Sequence, residues 1–328
     1  MANANFGTNI LRTAYDPKTL QGWGTRGYNW EFSVGAQHEV LPRVSLDVGY
    51  FRRIYGNFYA TDNLALALSD FTAFSITAPP DSRLPGGGGY LVSGLYNLNP
   101  AKFGIPENNY VTPASNYGTQ IEHWNGVDIA ANARLKQVLL RGGVSTGRTS
   151  TDSCQIVSQL PELIAGVGII AAIPGATATS ATPQQYCHVD TPFITQVKAL
   201  GSYTIPKVDV QLSGTFQSIK GPQVVANYNA TNAVVIPSLG RPLSGGAPNV
   251  TVNLVPPATM YGERLNQLDF RFGKILKFGP TKSVASLDLY NALNASPVLI
   301  ESNAYAIFRR PQTILLARFV KVSLQFDF

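Results

Sequence analysis

The chain has 328 residues, room for one large all-β unit or two ordinary domains, and carries a net charge of +6. Only 13% of its residues are charged, against roughly 25% in an average soluble domain, while the hydrophobic share is an ordinary 45%. The balance is glycine and uncharged polar side chains, which suit neither a dry core nor a charged aqueous exterior. Lys and Arg are scattered, with Arg52-Arg53 and Arg309-Arg310 the longest basic runs, so no phosphate track for nucleic acid is present.

Residues 1–17 lack the charged and then apolar regions of a signal peptide. Residues 1–27, with Asn3, Asn5, Gly7, Pro17, Gly22 and Gly24, read as an irregular lead-in to a β segment over 28–328. From there period-two alternation dominates, placing successive side chains on opposite faces of a strand. Tyr28, Trp30, Phe32, Val34 and Ala36 alternate with Asn29, Glu31, Ser33, Gly35 and Gln37. After a turn at Pro42, Val44, Leu46, Val48 and Tyr50 alternate with Ser45, Asp47 and Gly49. The pattern returns at Val127, Ile129, Ala131 and Ala133, turns near Lys136, and continues through Leu140, Val144 and Thr146. A third pair carries Val197, Ala199 and Tyr203, turns at Pro206-Lys207, and resumes at Val208, Val210, Leu212 and Phe216, with Asp209, Gln211, Ser213 and Thr215 opposite. A fourth pair has Leu268, Phe270 and Phe272, a turn at Phe278-Gly279-Pro280, then Ala285, Leu287 and Leu289. The last strand is Val320, Val322, Leu324, Phe326 and Phe328, which brings the count to nine.

Short turns alternate with long connections before Ile121, around the two cysteines, before Leu265 and before Phe319. Compact soluble domains rarely hold connections beyond about 12–15 residues. Short turns at one end and long loops at the other make the outer-membrane barrel pattern, and strands of about ten residues match a tilted membrane strand. Aromatic residues near strand ends, among them Tyr28, Trp30, Tyr50, Phe51, Tyr55 and Phe216, match interfacial girdles. No run reaches the roughly 18 apolar residues of a spanning helix; the nearest, residues 163–173, stops at Pro174. A soluble β-sandwich also alternates, but it needs a charged, solvated exterior that this composition does not supply. The expected fold is therefore all-β, an antiparallel outer-membrane barrel segment of nine to ten strands with long external loops. First and last strands run the same way in this reading, and antiparallel closure requires an even number, so the segment is expected to be part of a larger barrel.

Cys154 and Cys187 are the only cysteines and flank one irregular segment, which predicts a disulfide rather than a metal site. His38, His123 and His188 are too few and scattered for a metal cluster. Gly86 to Gly89 lack the Lys-Ser/Thr of a phosphate loop and read as a flexible connection. His123 precedes a strand and Ser145 lies on that strand's partner, the one arrangement that invites a hydrolase reading, but no Gly-x-Ser-x-Gly elbow accompanies them. Asp47, Asp128, Asp209, Asp269 and Asp288 recur on polar strand faces, as a hydrated wall or a solute path would have them. No cofactor is called for and no enzyme activity is expected.

Several strand segments carry a resemblance. Tyr28-Asn-Trp-Glu-Phe-Ser-Val-Gly, Val48-Gly-Tyr-Phe-Arg-Arg, Trp124-Asn-Gly-Val-Asp, Arg264-Leu-Asn-Gln-Leu-Asp and Leu287-Asp-Leu-Tyr-Asn-Ala-Leu-Asn look like the closing strands of TonB-dependent receptors. They are most similar to the Oar-like branch, which carries an N-terminal carboxypeptidase-regulatory-like domain. The series Val320, Val322, Leu324, Phe326 and Phe328 is similar to the C-terminal signal read by the outer-membrane assembly machinery. The resemblance implies a plugged barrel of about twenty-two strands, located in the cell outer membrane and importing a bulky solute with TonB-transmitted energy. Plug, TonB box and early strands are absent from the chain. Its implied partners are therefore outer-membrane lipid, the assembly machinery and the missing plug and strands, with TonB acting only through that plug. The alternative expectation is a small self-contained porin with a passive channel.

Overall fold

Period-two segments become one antiparallel sheet. The computed structural model describes residues 12–165, 180–278 and 281–327, and nine strands pair there in chain order. They are β1 (Tyr28–Leu41), β2 (Val44–Gly56), β3 (Ile121–Leu135), β4 (Val138–Asp152), β5 (Ile194–Ile205), β6 (Val210–Ile219), β7 (Leu265–Phe278), β8 (Thr281–Tyr290) and β9 (Phe319–Asp327). A three-residue strand, His188–Asp190, adds beside the end of β4. No helix among the described residues is long and apolar enough to cross a membrane, which leaves open a crossing by strands.

Residues directly opposed across an antiparallel pair share a face, so the register can be read as rows. One row runs Leu135, Val138, Tyr203, Leu212, Phe272, Leu287, Val322 from β3 to β9. A second row, Ala36, Val48, Ile129, Val144, Val197, links β1 to β5. The opposite face carries Arg134, Leu139, Ser202, Ser213, Arg271, Asp288, Lys321 in one row. One face is thus apolar from edge to edge, and the other is polar.

No second layer covers the apolar face among the described residues: Phe32 is 55% exposed, Val34 68% and Val322 77%. All 14 residues of β1 are exposed on both faces. Because every neighbouring pair is antiparallel, β1 and β9 run in the same direction, and no pairing joins them among the described residues.

The buried core lies instead in the long connections, residues 57–120, 153–193, 220–264 and 291–318. Phe74, Ile76, Val92 and Leu95 from the first pack with Val235, Val250, Val252 and Leu254 from the third and Phe308 from the fourth. Two hairpin-like pairs frame this cluster, Phe71–Thr77 with Leu91–Leu98 and Asn227–Thr231 with Asn249–Asn253. A helix, Asn232–Leu239, buries Val235 and Leu239 and ends at Gly240, whose φ of 76° closes it. Connections expected to be loops therefore form a folded cap.

Four further expectations change. Two-residue turns sit at Pro42-Arg43 and Lys136-Gln137, but Pro206 to Asp209 form a longer one, and β6 begins only at Val210. Lys207 and Asp209 have φ of 70° and 50°, which takes the backbone out of the extended region. Asp209 therefore leaves the polar strand face, and its carboxylate meets Lys277 Nζ at 3.0 Å. Gly279 and Pro280 of the fourth turn lie outside the described residues. In the lead-in, Thr13–Tyr15 pair in parallel with Asn109, Tyr110 and Val111, and Asp16 caps the turn Pro17–Leu20. Residues 86–89 form a built turn rather than a loose one. Gly88 has φ of 78°, and a Cβ there would stand 2.0 Å from the Pro79 carbonyl oxygen.

Candidate solute-facing wall and loop cap

The polar face is organised by ladders of charge and amide pairs. Glu31 and Arg53 are opposed across β1 and β2 and form an ion pair. Arg271 and Asp288 are opposed across β7 and β8, with Nε to Oδ1 at 2.5 Å and Nη2 to Oδ2 at 3.0 Å. Asp288 is only 3% exposed, so this bidentate pairing is what allows a carboxylate there. Between them, Gln217 Nε2 donates to Gln267 Oε1 at 2.9 Å, and Gln267 Nε2 donates to Asp269 Oδ1 at 3.0 Å. Asp269 also accepts from Asn291 N at 2.7 Å, at the end of β8.

The sequence segments singled out above acquire physical roles here. The Trp124 indole lies across Gly126 and Gly147, where added Cβ atoms would sit 2.0 Å and 2.4 Å from its ring. Those glycines exist to let an aromatic lie flat on the wall. Arg264 donates to Ser218 Oγ at 2.7 Å and to the Thr195 carbonyl at 2.6 Å, tying the upper ends of β5, β6 and β7. Asn291 and Asn294 both have φ of 50°. Asn291 Nδ2 donates to the carbonyls of Ala295 and Leu316 at 2.8 Å each, and Asn294 Oδ1 accepts from Arg318 N at 3.0 Å. The two asparagines thus fasten the start of a long connection to the start of β9.

In the cap, Cys154 and Cys187 form a disulfide with a Cα separation of 4.8 Å. It closes next to the His188–Asp190 strand, where His188 Nδ1 lies 3.1 Å from Asp152 and Nε2 lies 3.4 Å from Asp190. Hydrogen bonds to Asp152 first and Asp190 second hold the His188 pKa above its ordinary value. The chain from Cys154 then packs Ile156 and Leu160 on Ala60 and Ala114 of the first long connection. Glu162 is buried in this joint at 8% exposure, accepting from Asn63 N at 3.3 Å. Burial pushes its pKa up to about 7, with the Asp62 carboxylate adding to the rise. Arg241 makes the other tie, donating to Asn97 Oδ1 at 2.6 Å, Ser244 Oγ at 3.1 Å and the Leu98 carbonyl at 3.1 Å. Glu162 and Arg241 were not singled out by sequence. The available signal was a lone carboxylate inside the apolar run from Leu160 to Ile164.

His123 opposes Ser150 while Ser145 opposes Asp128, and the odd and even positions of β3 put His123 and Ser145 on opposite faces. The two residues that invited a hydrolase reading are not brought together. Asp47, Asp128, Asp269 and Asp288 do share the polar face. Val320, Val322 and Leu324 of β9 oppose Leu289, Leu287 and Ala285 on the apolar face, and Phe326 opposes Ser283. Phe328 lies outside the described residues, as do residues 166–173 of the apolar run. Among the described residues no three His, Cys, Asp or Glu side chains gather as a metal site would need. No family model matches the chain, and a search of curated proteins finds no significant match.

Proposed function

We propose that this chain is the barrel-wall portion of a TonB-dependent receptor in the cell outer membrane, importing a solute, with the folded cap as its outward binding surface. The observation that carries the reading is an edge-to-edge apolar face that no second layer covers among the described residues, on a protein whose buried core lies in the cap. In water, such a face would drive collapse or association; lipid covers it at no cost. The apolar stretches, residues 44–50 on β2 and 197–205 on β5, extend about 20–27 Å along the strands, close to the roughly 25 Å apolar belt of outer-membrane barrels.

The strand ends favour a wall portion over a self-contained porin. Each open edge would leave backbone N–H and C=O groups unpaired in lipid, at several kcal/mol per group. Strands β1 and β9 run the same way, so they do not supply each other with antiparallel partners. Further strands would, together with the plug through which TonB acts. In this reading β9 presents Val320, Val322, Leu324 and Phe326 to the assembly machinery. The role is one of wall and binding surface, without catalysis or cofactor.

The test is reconstitution. The chain, refolded in detergent and mixed with liposomes, should float with the lipid in a density gradient. Protease added outside should cut the cap connections and spare the strands. A chain that stays soluble and monomeric without detergent or lipid would overturn the reading.

A further inference from the structure

Several cations in the wall have carboxylate partners: Arg53 has Glu31, Arg271 has Asp288 and Lys277 has Asp209. Arg134, Arg141 and Lys198 are exposed and have neither an ion pair nor a side-chain hydrogen bond among the described residues. Their positions are related by register. Arg134 opposes Leu139, two residues from Arg141 on β4; Arg141 opposes Leu200, two residues from Lys198 on β5. Each is thus the diagonal neighbour of the next on the polar face, about 7–8 Å away. The three make a ladder that climbs from the short-turn end of β3 toward the middle of β5.

The wall around this ladder is open. On the β4 side Lys198 directly opposes Gly143, which opposes Ala130, so little side chain stands beside it there, while on the β6 side it opposes Gln217. Two concavities meet at Asn132 and Arg141, one of about 480 Å³ reaching Lys198, Gln217 and Gln267, the other of about 1010 Å³ reaching Arg134. Together they are lined by five cations, the three above with Arg43 and Lys136, against two carboxylates, Glu39 and Asp269. Both carboxylates are already engaged, Glu39 by the Arg43 backbone N–H and Asp269 by Gln267 and Asn291. Asp47 shares the Lys198 row but stands three strands away, and Asp128 stands one row further up and two strands away.

Like charges held this close repel one another, and none of the three has an ion-pair partner among the described residues. Rings and rows of Arg and Lys are how pores favour anions. From this we infer that the Arg134–Arg141–Lys198 ladder is a binding track for a solute carrying two or more oxyanion groups, phosphate or carboxylate. The inference rests on the reading that the polar face lines a solute path. Guanidinium groups supply paired N–H donors to each oxyanion, and the amide of Asn132 supplies a further donor beside them.

The experiment titrates the full chain, refolded in detergent at low salt, with pyrophosphate and separately with citrate, by calorimetry. Binding of either, weakening as salt rises, is expected; pyrophosphate alone would identify phosphate, citrate alone carboxylate, and both oxyanions in general. Arg141→Gln, at the centre, should weaken binding by about tenfold or more, the loss of a charge-assisted bidentate contact. Lys198→Gln should weaken it less, and Arg318→Gln, which removes the same charge away from the track, should leave it unchanged. These side chains are exposed and unpartnered, so the variants should keep the wild-type β-sheet circular dichroism. Absence of binding to either probe, or equal weakening by Arg318→Gln, would overturn the inference. Liposome flotation of the same preparation separates the two claims: a chain that floats but binds neither anion refutes the track and leaves the wall reading intact.

Discussion

Glu162 is a carboxyl group placed where water is largely excluded, in the joint between the disulfide-bridged connection and the one before β3. Its pKa is raised from an ordinary 4.5 to about 7, by burial first and by the neighbouring Asp62 carboxylate. A group with a raised folded pKa contributes stability that is fully present below the unfolded value and lost as pH rises through the folded one. The joint should therefore hold firmly at pH 4.5 and loosen progressively up to about pH 8. A shift of this size corresponds to roughly 3 kcal/mol at most. His188, also raised, works in the same direction on the same connection, so the comparison is best made in a His188→Gln background. Glu162→Gln keeps the shape and removes the titration. Hydrogen exchange at the amides of Asn63, Leu160, Glu162, Leu163 and Ile164 reads the opening directly. In the parent, their protection should fall between pH 5 and 8 after correction for intrinsic exchange; in Glu162→Gln it should stay level. A variant that keeps the full pH dependence would show that Glu162 is not the titrating group.

Three further changes probe other parts of the molecule. Cys154→Ser with Cys187→Ser opens a loop with a sequence separation of 33, and should lower cap stability by about 3–4 kcal/mol in the chain-entropy description; an unchanged denaturation midpoint for the cap would refute this. Leu212 and Ser213 lie on opposite faces of β6. In a lipid refolding assay Leu212→Arg should cost roughly 2–4 kcal/mol, and Ser213→Arg much less; equal costs would count against a lipid-facing row. Arg271→Ala leaves the buried Asp288 carboxylate without its partner and should destabilise the β7–β8 pair by roughly 1–3 kcal/mol, with Asp288→Asn in addition restoring part of the loss.

The sheet was legible because its information is local. Alternation over a handful of residues identifies each of the nine strands, and proline or lysine marks the short turns. The turn at Pro206 was misjudged because Lys207 and Asp209 adopt positive φ without a glycine to signal it. Of the cap, only the disulfide could be read. Ile76 and Leu95 come from one connection and Val252 and Leu254 from another, and neither set shows a period that betrays its partner. The cationic ladder was hidden for a related reason. Arg134, Arg141 and Lys198 are unremarkable in sequence, and only the register turns them into diagonal neighbours.

Single-cysteine spin labelling along β6 decides whether one face of the sheet meets lipid and the other water. Both native cysteines are in the disulfide, so an introduced thiol is the sole free one among the described residues. Labels would be placed from Val210 to Gln217 in liposome-reconstituted protein, and their collisions with oxygen, which concentrates in lipid, compared with those with a water-soluble nickel chelate. The account requires oxygen access at Val210, Leu212 and Phe216, and nickel access at Gln211, Ser213 and Thr215, with a two-residue period. Equal access to the chelate at every position would mean that both faces meet water, and the account would be wrong.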